Sequence, residues 1–270
     1  MELIGLNRQT VKKRRAVTEI KIYSEKTLYM FKQRLIILFI AAVITLVGGS
    51  STFAAGTVEK KEVAFRVRVE NTADASGITA QDGSKYPFAL SPGFFIVSNK
   101  RSPIFESGKS ASPQLEAQAE DGNPSLFLKK YLTRVGSVYA NVFNKPLGSD
   151  MAAPIFAGGA FEFSVYATAE MKLNLAFMYG QSNDLFYAPD EAIDLFDSNG
   201  NPLSGDITDK IKLWDAGTEV NQAPGLGADQ GPRQKGPNTG AVEKGVVRLV
   251  NDGFTYPDTK SVLRVTIKAE

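Results

Sequence analysis

The chain has 270 residues, 43% of them hydrophobic and 17 of them Phe, enough for one or two domains with a substantial core. Its formal net charge is +2, and it contains neither His nor Cys. That composition excludes Ser-His-Asp triads, His general bases, ordinary zinc sites, disulfides and thiol chemistry.

The positive charge is local. Residues 1–54 carry nine Lys/Arg against three acids, and the remaining chain carries 22 basic against 26 acidic residues, a net charge of −4. The basic balance therefore belongs to a leader, and no nucleic-acid partner is expected. Within that leader, residues 35–47 are apolar apart from Thr45; Lys32 and Arg34 precede them and a small-residue stretch ending in Thr52-Phe53-Ala54 follows. This order of charged, apolar and small residues is that of a signal peptide cleaved near Ala54. The apolar run is short for a membrane span. Residues 1–54 are thus expected to be a cytoplasmic extension plus signal peptide, with Met30 as an alternative start and an uncleaved anchor as the alternative fate. An exported chain without Cys points to a bacterial envelope or medium, whether periplasmic, cell-surface or extracellular. Contact with a membrane is expected only through the leader.

From about residue 60 the pattern is that of short strands. Val63, Phe65, Val67 and Val69 alternate with Ala64, Arg66 and Arg68, the signature of a half-buried strand. Residues 71–83 are polar and turn-rich, and Phe94 to Val97 form a short buried strand. Ser112-Pro113 and Asn123-Pro124 each supply an N-cap followed by a proline at the first helical position, which predicts helices over 113–121 and 124–132. Alternation returns at Phe161, Phe163 and Val165, and again at Leu173, Leu175 and Phe177. Residues 193–196, 211–214, 246–250 and 263–267 complete the predicted strands. Residues 224–240 hold five Gly and three Pro and predict a long mobile loop. Many short strands separated by turn signals predict a mainly β domain over residues 60–270, built as an antiparallel β-sandwich with a few short helices.

Residues 183–219 stand out by charge, with nine acids against Lys210 and Lys212, a local net charge of −7. Such a density of carboxylates needs solvent or a hard cation such as Ca²⁺. Several motifs there and nearby have ordinary readings. Asp197-Ser198-Asn199-Gly200 looks like part of an EF-hand, but the closing position falls on Thr208 instead of Glu, so it reads as a hairpin turn. Gly225-Leu226-Gly227 lacks the third glycine and the βαβ setting of a dinucleotide loop. Glu116 and Glu120 share one face of the first helix, where a solvated surface is the simpler reading than a glycosidase pair.

Asp184 and Asp215 adjoin apolar clusters, Leu185-Phe186-Tyr187 and Leu213-Trp214, and so stand at the ends of buried strands. Asp215 and Glu219 flank Gly217. Locally, a cation site and an Asx-turn with a surface Glu are equally compatible with this pattern.

At these residues the chain resembles the spondin-N family, the module of F-spondin, mindin and many exported bacterial proteins. The resemblance rests on Leu90-Ser91-Pro92-Gly93, on the run from Glu106 to Gly122, on Ser182-Asn183-Asp184-Leu185-Phe186 and on Trp214-Asp215-Ala216-Gly217-Thr218-Glu219, and spans about residues 63–250. It implies an antiparallel sandwich similar to the calcium-dependent lipid-binding sandwich of protein kinase C. It also implies a Ca²⁺ site whose ligands fall on Asp184, Asp215 and Glu219. Glu219 stands where the animal members have Asp, and Asn183 and Leu185 stand in place of a Pro and a Trp. The expected function is a non-catalytic, calcium-binding adhesion or recognition module whose partner is a surface protein, a glycan or a matrix component. A polysaccharide hydrolase using paired carboxylates and a ligand-free structural envelope protein are the alternatives.

Overall fold

The computed structural model of the chain describes residues 61–101, 103–132 and 138–270. The expected leader, with its apolar run and cleavage site, lies outside the described residues. In chain order the elements are β1 (Val63–Asn71), β2 (Ile78–Thr79), β3 (Lys85–Tyr86), β4 (Leu90–Ser98), α1 (Pro113–Asp121), α2 (Ser125–Leu132), β5 (Val138–Phe143), β6 (Ala160–Ala167), β7 (Lys172–Tyr179), β8 (Leu185–Pro189), β9 (Ile193–Asp194), β10 (Gly205–Asp206), β11 (Ile211–Asp215), β12 (Arg248–Leu249), α3 (Thr259–Val262) and β13 (Leu263–Ala269).

Alternation builds the smaller sheet. β1 turns Phe65, Val67 and Val69 inward and Arg66 and Arg68 toward solvent. It runs antiparallel to β6 on one side and β13 on the other, and β10 extends the sheet beyond β13. The larger sheet has the order β12-β11-β8-β7-β4-β5, with β9 paired to the start of β7. Every strand pairing in both sheets is antiparallel. The fold is therefore mainly β with short helices, as the turn-punctuated pattern predicts.

The two sheets pack through aromatic side chains. Phe163 of β6 stacks on Phe95 of β4 at 4.6 Å and on Phe143 of β5 at 4.7 Å between ring centroids. Each large apolar side chain buried in this layer contributes about 1.5–3 kcal/mol. The larger sheet has a second covered face. Phe94 and Ile96 of β4, Ala176 of β7, and Phe186 and Ala188 of β8 pack under Leu115 and Ala119 of α1 and Phe127 and Tyr131 of α2. Double coverage explains why β4 and β8 read as continuous apolar runs instead of alternating.

The cap signals place α1 where expected. Ser112 Oγ accepts the Leu115 N–H at 3.3 Å, and Gly122 closes the helix in the left-handed region at φ 60°. The strands expected over 246–250 and 193–196 shorten to β12 and β9, and β5 and α3 form where no element was expected. The Gly- and Pro-rich loop forms no regular element, yet it is tied down. Gln230 is fully buried and donates to Gln222 O and Ala223 O, and Gln234 Nε2 donates to Asp121 Oδ1 at 2.9 Å.

Strand direction fixes where the acidic stretch lies. Asp215 pairs with Leu185, Leu90 pairs with both Tyr179 and Ile155, and the Asn71 amide donates to Ile155 O. The ends of β1, β7 and β11 and the starts of β4 and β8 thus share one end of the sandwich. It is the end opposite that at which β1 begins.

Candidate metal centre

Asp184 precedes β8 and Asp215 ends β11. Because Leu185 lies directly opposite Asp215, the strand register brings two sequence-distant acids side by side. Both are fully buried.

Each is held by the turn at residues 216–219. Asp184 Oδ2 accepts the Thr218 N–H at 2.7 Å, the Thr218 hydroxyl at 3.0 Å and the Glu219 N–H at 3.1 Å. Its Oδ1 is buried and has no hydrogen-bond partner among the described residues. Asp215 Oδ1 accepts the Gly217 N–H at 2.7 Å, which is an Asx-turn. Asp215 Oδ2 accepts Asn221 Nδ2 at 2.9 Å and Arg248 Nη2 at 2.7 Å.

The turn needs Gly217. Its φ is 68°, and a Cβ there would lie 2.7 Å from Val246 N. That closeness lets a distant segment lie alongside. Gly245 N–H donates to Gly217 O at 2.6 Å, Glu243 N–H to Thr218 O at 2.9 Å and Val220 N–H to Ala241 O at 2.7 Å. These bonds carry Glu243 to the two aspartates. One carboxylate oxygen from each of Asp184, Asp215 and Glu243 lies within 4.8 Å of the other two. Glu243 Oε1 accepts Arg248 Nη2 at 2.7 Å, and its Oε2 is buried without a partner among the described residues.

Glu219, the third acid expected from the resemblance, is buried in the adjoining loop with 3% of its surface exposed. Its Oε1 accepts the Gly240 N–H at 2.9 Å and its Oε2 accepts Asn183 Nδ2 at 3.3 Å. A Cβ at residue 240 would fall 2.0 Å from Glu219 Oε2, so this clamp depends on glycine. Glu219 is thus neither a surface residue nor within the 4.8 Å group.

Burial dominates the electrostatics. It pushes the Asp184 carboxyl up to about 7, and the Asp215 charge adds to that shift. Burial also raises Asp215, against the opposing Gly217 N–H and the Arg248 charge. Burial raises Glu219 as well, against the Gly240 N–H and the Asn183 amide. Two buried carboxylates with a half-buried third beside them are costly unless a cation compensates them. Arg248 supplies one positive charge, leaving −2 when all three acids are ionised. An all-oxygen donor set with unused buried oxygens suits a hard divalent ion and not a thiophilic one.

The other sequence candidates resolve differently. Asp197 Oδ1 accepts the N–H groups of Asn199 and Asn201, both at 2.8 Å, and Gly200 has φ 80°, so this stretch is a turn. Gly225 packs against the Tyr86 ring, which a Cβ would meet at 2.1 Å. Glu120 corrects the reading of a solvated helix face. It is 2% exposed, and burial pushes its carboxyl up to about 7. With its amide oriented to donate, Asn238 reaches Glu116 Oε1 at 2.9 Å and Glu120 Oε2 at 3.0 Å. A surface groove of about 670 Å³, lined by Lys100, Arg101, Phe105, Lys172 and Glu191, shares no acid with the cluster.

No protein-family model matches the chain, and no curated protein matches it significantly.

Proposed function

We propose that the chain is a calcium-binding adhesion or recognition module, exported to the cell surface, periplasm or medium and without catalytic activity. The spondin-N resemblance is its family reading. The observation that carries the proposal is Asp184. A fully buried carboxylate with an unused oxygen, set beside a second buried aspartate, has the chemistry of a cation ligand. Asp184 and Asp215 are common to the resemblance and to the geometry. Backbone carbonyls and water complete the roughly six to eight oxygens that Ca²⁺ accepts. Mg²⁺ is the poorer fit, because a loop-built site suits its strict octahedron badly.

The ion's contribution is structural. It ties the start of β8 to the end of β11 and fixes the loops between them, which shapes one end of the sandwich as a binding surface. The partner class is a surface protein, a glycan or a matrix component. Pull-downs from envelope and polysaccharide extracts, with Ca²⁺ and with chelator, identify it.

The ligand-free structural reading is favoured by one observation, that Arg248 already bridges Asp215 and Glu243. For the hydrolase reading, Glu120 is buried and shares the Asn238 amide with Glu116, a poor arrangement for an acid–base pair facing substrate. Calcium titration calorimetry on the full-length chain decides between the first two. A saturable isotherm supports the module; no heat at any concentration leaves the structural reading.

A further inference from the structure

We infer that Glu243 is the third carboxylate of the cation site and that Arg248 is its resident counter-ion, a guanidinium that an incoming divalent cation displaces. The inference rests on the calcium reading above and adds the two groups that set its affinity.

Glu243 is chosen over Glu219 first by position, since Glu219 is not in the 4.8 Å group, and then by its unused oxygen. The Glu219 oxygens are spent on the Gly240 N–H and Asn183, groups that hold the loop, whereas Asp215 Oδ2 shares a partner, Arg248, that can leave. Glu243 keeps Oε2 buried and unused, and its carboxylate lies within 4.8 Å of those of Asp184 and Asp215. Asp184 Oδ1, fully buried and equally unused, is the independent sign that a ligand belongs there.

Arg248 lies directly across the strand pair from Asp215. A single nitrogen, Nη2, stands 2.7 Å from Asp215 Oδ2 and 2.7 Å from Glu243 Oε1. Among the described residues it is the only Lys or Arg ion-paired with any of the three acids. Its side chain is 36% exposed, so it can swing into water without main-chain movement. The charges then define the selectivity. A monovalent ion replacing Arg248 trades one positive charge for another and gains nothing. With all three acids ionised, a divalent ion with Arg248 withdrawn leaves −1 where the Arg248-bound cluster has −2. With Arg248 kept at the rim, a divalent ion brings the cluster to neutrality. Where the ion takes Asp215 Oδ2 or Glu243 Oε1 it competes with the guanidinium, so the arginine weakens binding and disfavours monovalent ions.

The test uses full-length wild type, R248Q, R248K, E243Q and E219Q. Ca²⁺ affinity is read by calorimetry. Tb³⁺, a luminescent stand-in for Ca²⁺, is read by emission excited through Trp214, the chain's one Trp and the neighbour of Asp215. R248Q is expected to bind Ca²⁺ about tenfold tighter and E243Q about tenfold weaker, while E219Q stays within about threefold of wild type. R248K keeps the charge but loses the guanidinium fork, so it tightens by less. It also serves as the conservative variant if R248Q fails to show a cooperative melt. Wild-type binding that R248Q and E243Q leave unchanged overturns this assignment alone. Weaker binding by R248Q overturns the counter-ion role. Absence of binding by both wild type and R248Q overturns the calcium reading itself.

Discussion

Glu219 touches Asp184 through its main chain and not through its carboxylate. The Glu219 N–H donates to Asp184 Oδ2 at 3.1 Å, while its side chain turns away to accept the Gly240 N–H at 2.9 Å. The residue thus orients one candidate ligand and clamps the loop behind it. Glu219→Ala should therefore lower stability by about 1–2 kcal/mol, since it strands the half-buried Gly240 N–H and the buried Asn183 amide. Urea unfolding followed by circular dichroism measures the change. Wild-type stability in the variant would mean that the clamp contributes nothing.

Calcium should stabilise the fold. At about a hundred times Kd it should add ~2.7 kcal/mol, or roughly 5–11 °C in melting temperature for a domain of this size. Asp215→Asn should remove most of that gain, because Asp215 is fully buried between Trp214 and the Gly217 turn. Asp197→Asn, in the exposed turn after β9, is the matched control and should keep it. Thermal melts with Ca²⁺ and with chelator give the comparison, and equal losses in the two variants would count against a specific site.

Two buried tyrosines allow a paired measurement. Tyr179 and Tyr86 share a 2.7 Å hydrogen bond between their hydroxyls, whereas the buried Tyr187 hydroxyl has no partner among the described residues. Tyr187→Phe should be neutral or stabilising by up to about 1 kcal/mol, and Tyr179→Phe should cost about 1 kcal/mol. A larger loss at Tyr187 than at Tyr179, read from chemical denaturation, would contradict the assignment of the unpaired hydroxyl.

Much of the fold is legible because local signals agree with tertiary packing. β1 shows its alternation because one face meets the other sheet and the other face meets water. α1 is announced by Ser112-Pro113 because an N-cap is satisfied within a few residues. The proximity of Asp184 and Asp215 is half legible: both adjoin apolar runs, and pairing those runs as β8 and β11 brings the acids together. Glu243 is not legible in this way. It enters through main-chain bonds between 241–245 and 217–220, across a loop of Gly and Pro with no periodicity. The one usable signal is the predicted strand over 246–250, whose pairing with β11 only the structure reveals. Glu120 was hidden for a related reason. A helix face with two glutamates reads as solvated until a loop packs over it, and that loop, rich in Gly, Pro and polar residues, looks solvated too.

Acid sensitivity should arise partly from Glu70, on the outer face of β1. Arg264 Nε and Nη2 both donate to Glu70 Oε2, at 3.0 and 2.6 Å, and Arg68 Nη2 reaches Oε1 at 3.3 Å. The Arg264 hydrogen bonds, with help from Arg68 and against partial burial, hold the Glu70 carboxyl below its ordinary value. A carboxylate whose folded pKa is depressed contributes stability at pH values above its unfolded pKa, about 4.3, and loses that contribution as pH falls through the folded value. Wild type should thus exceed Glu70→Gln by about 1 kcal/mol at pH 7, the upper range for a partly exposed pair. The gap should close as pH drops from about 5 to below the folded pKa. High salt should narrow it at pH 7, because Arg264 is largely exposed and screened. Denaturant titrations of both proteins across this pH range give the difference directly. A gap that stays constant with pH would show that Glu70 acts through packing and not through its charge.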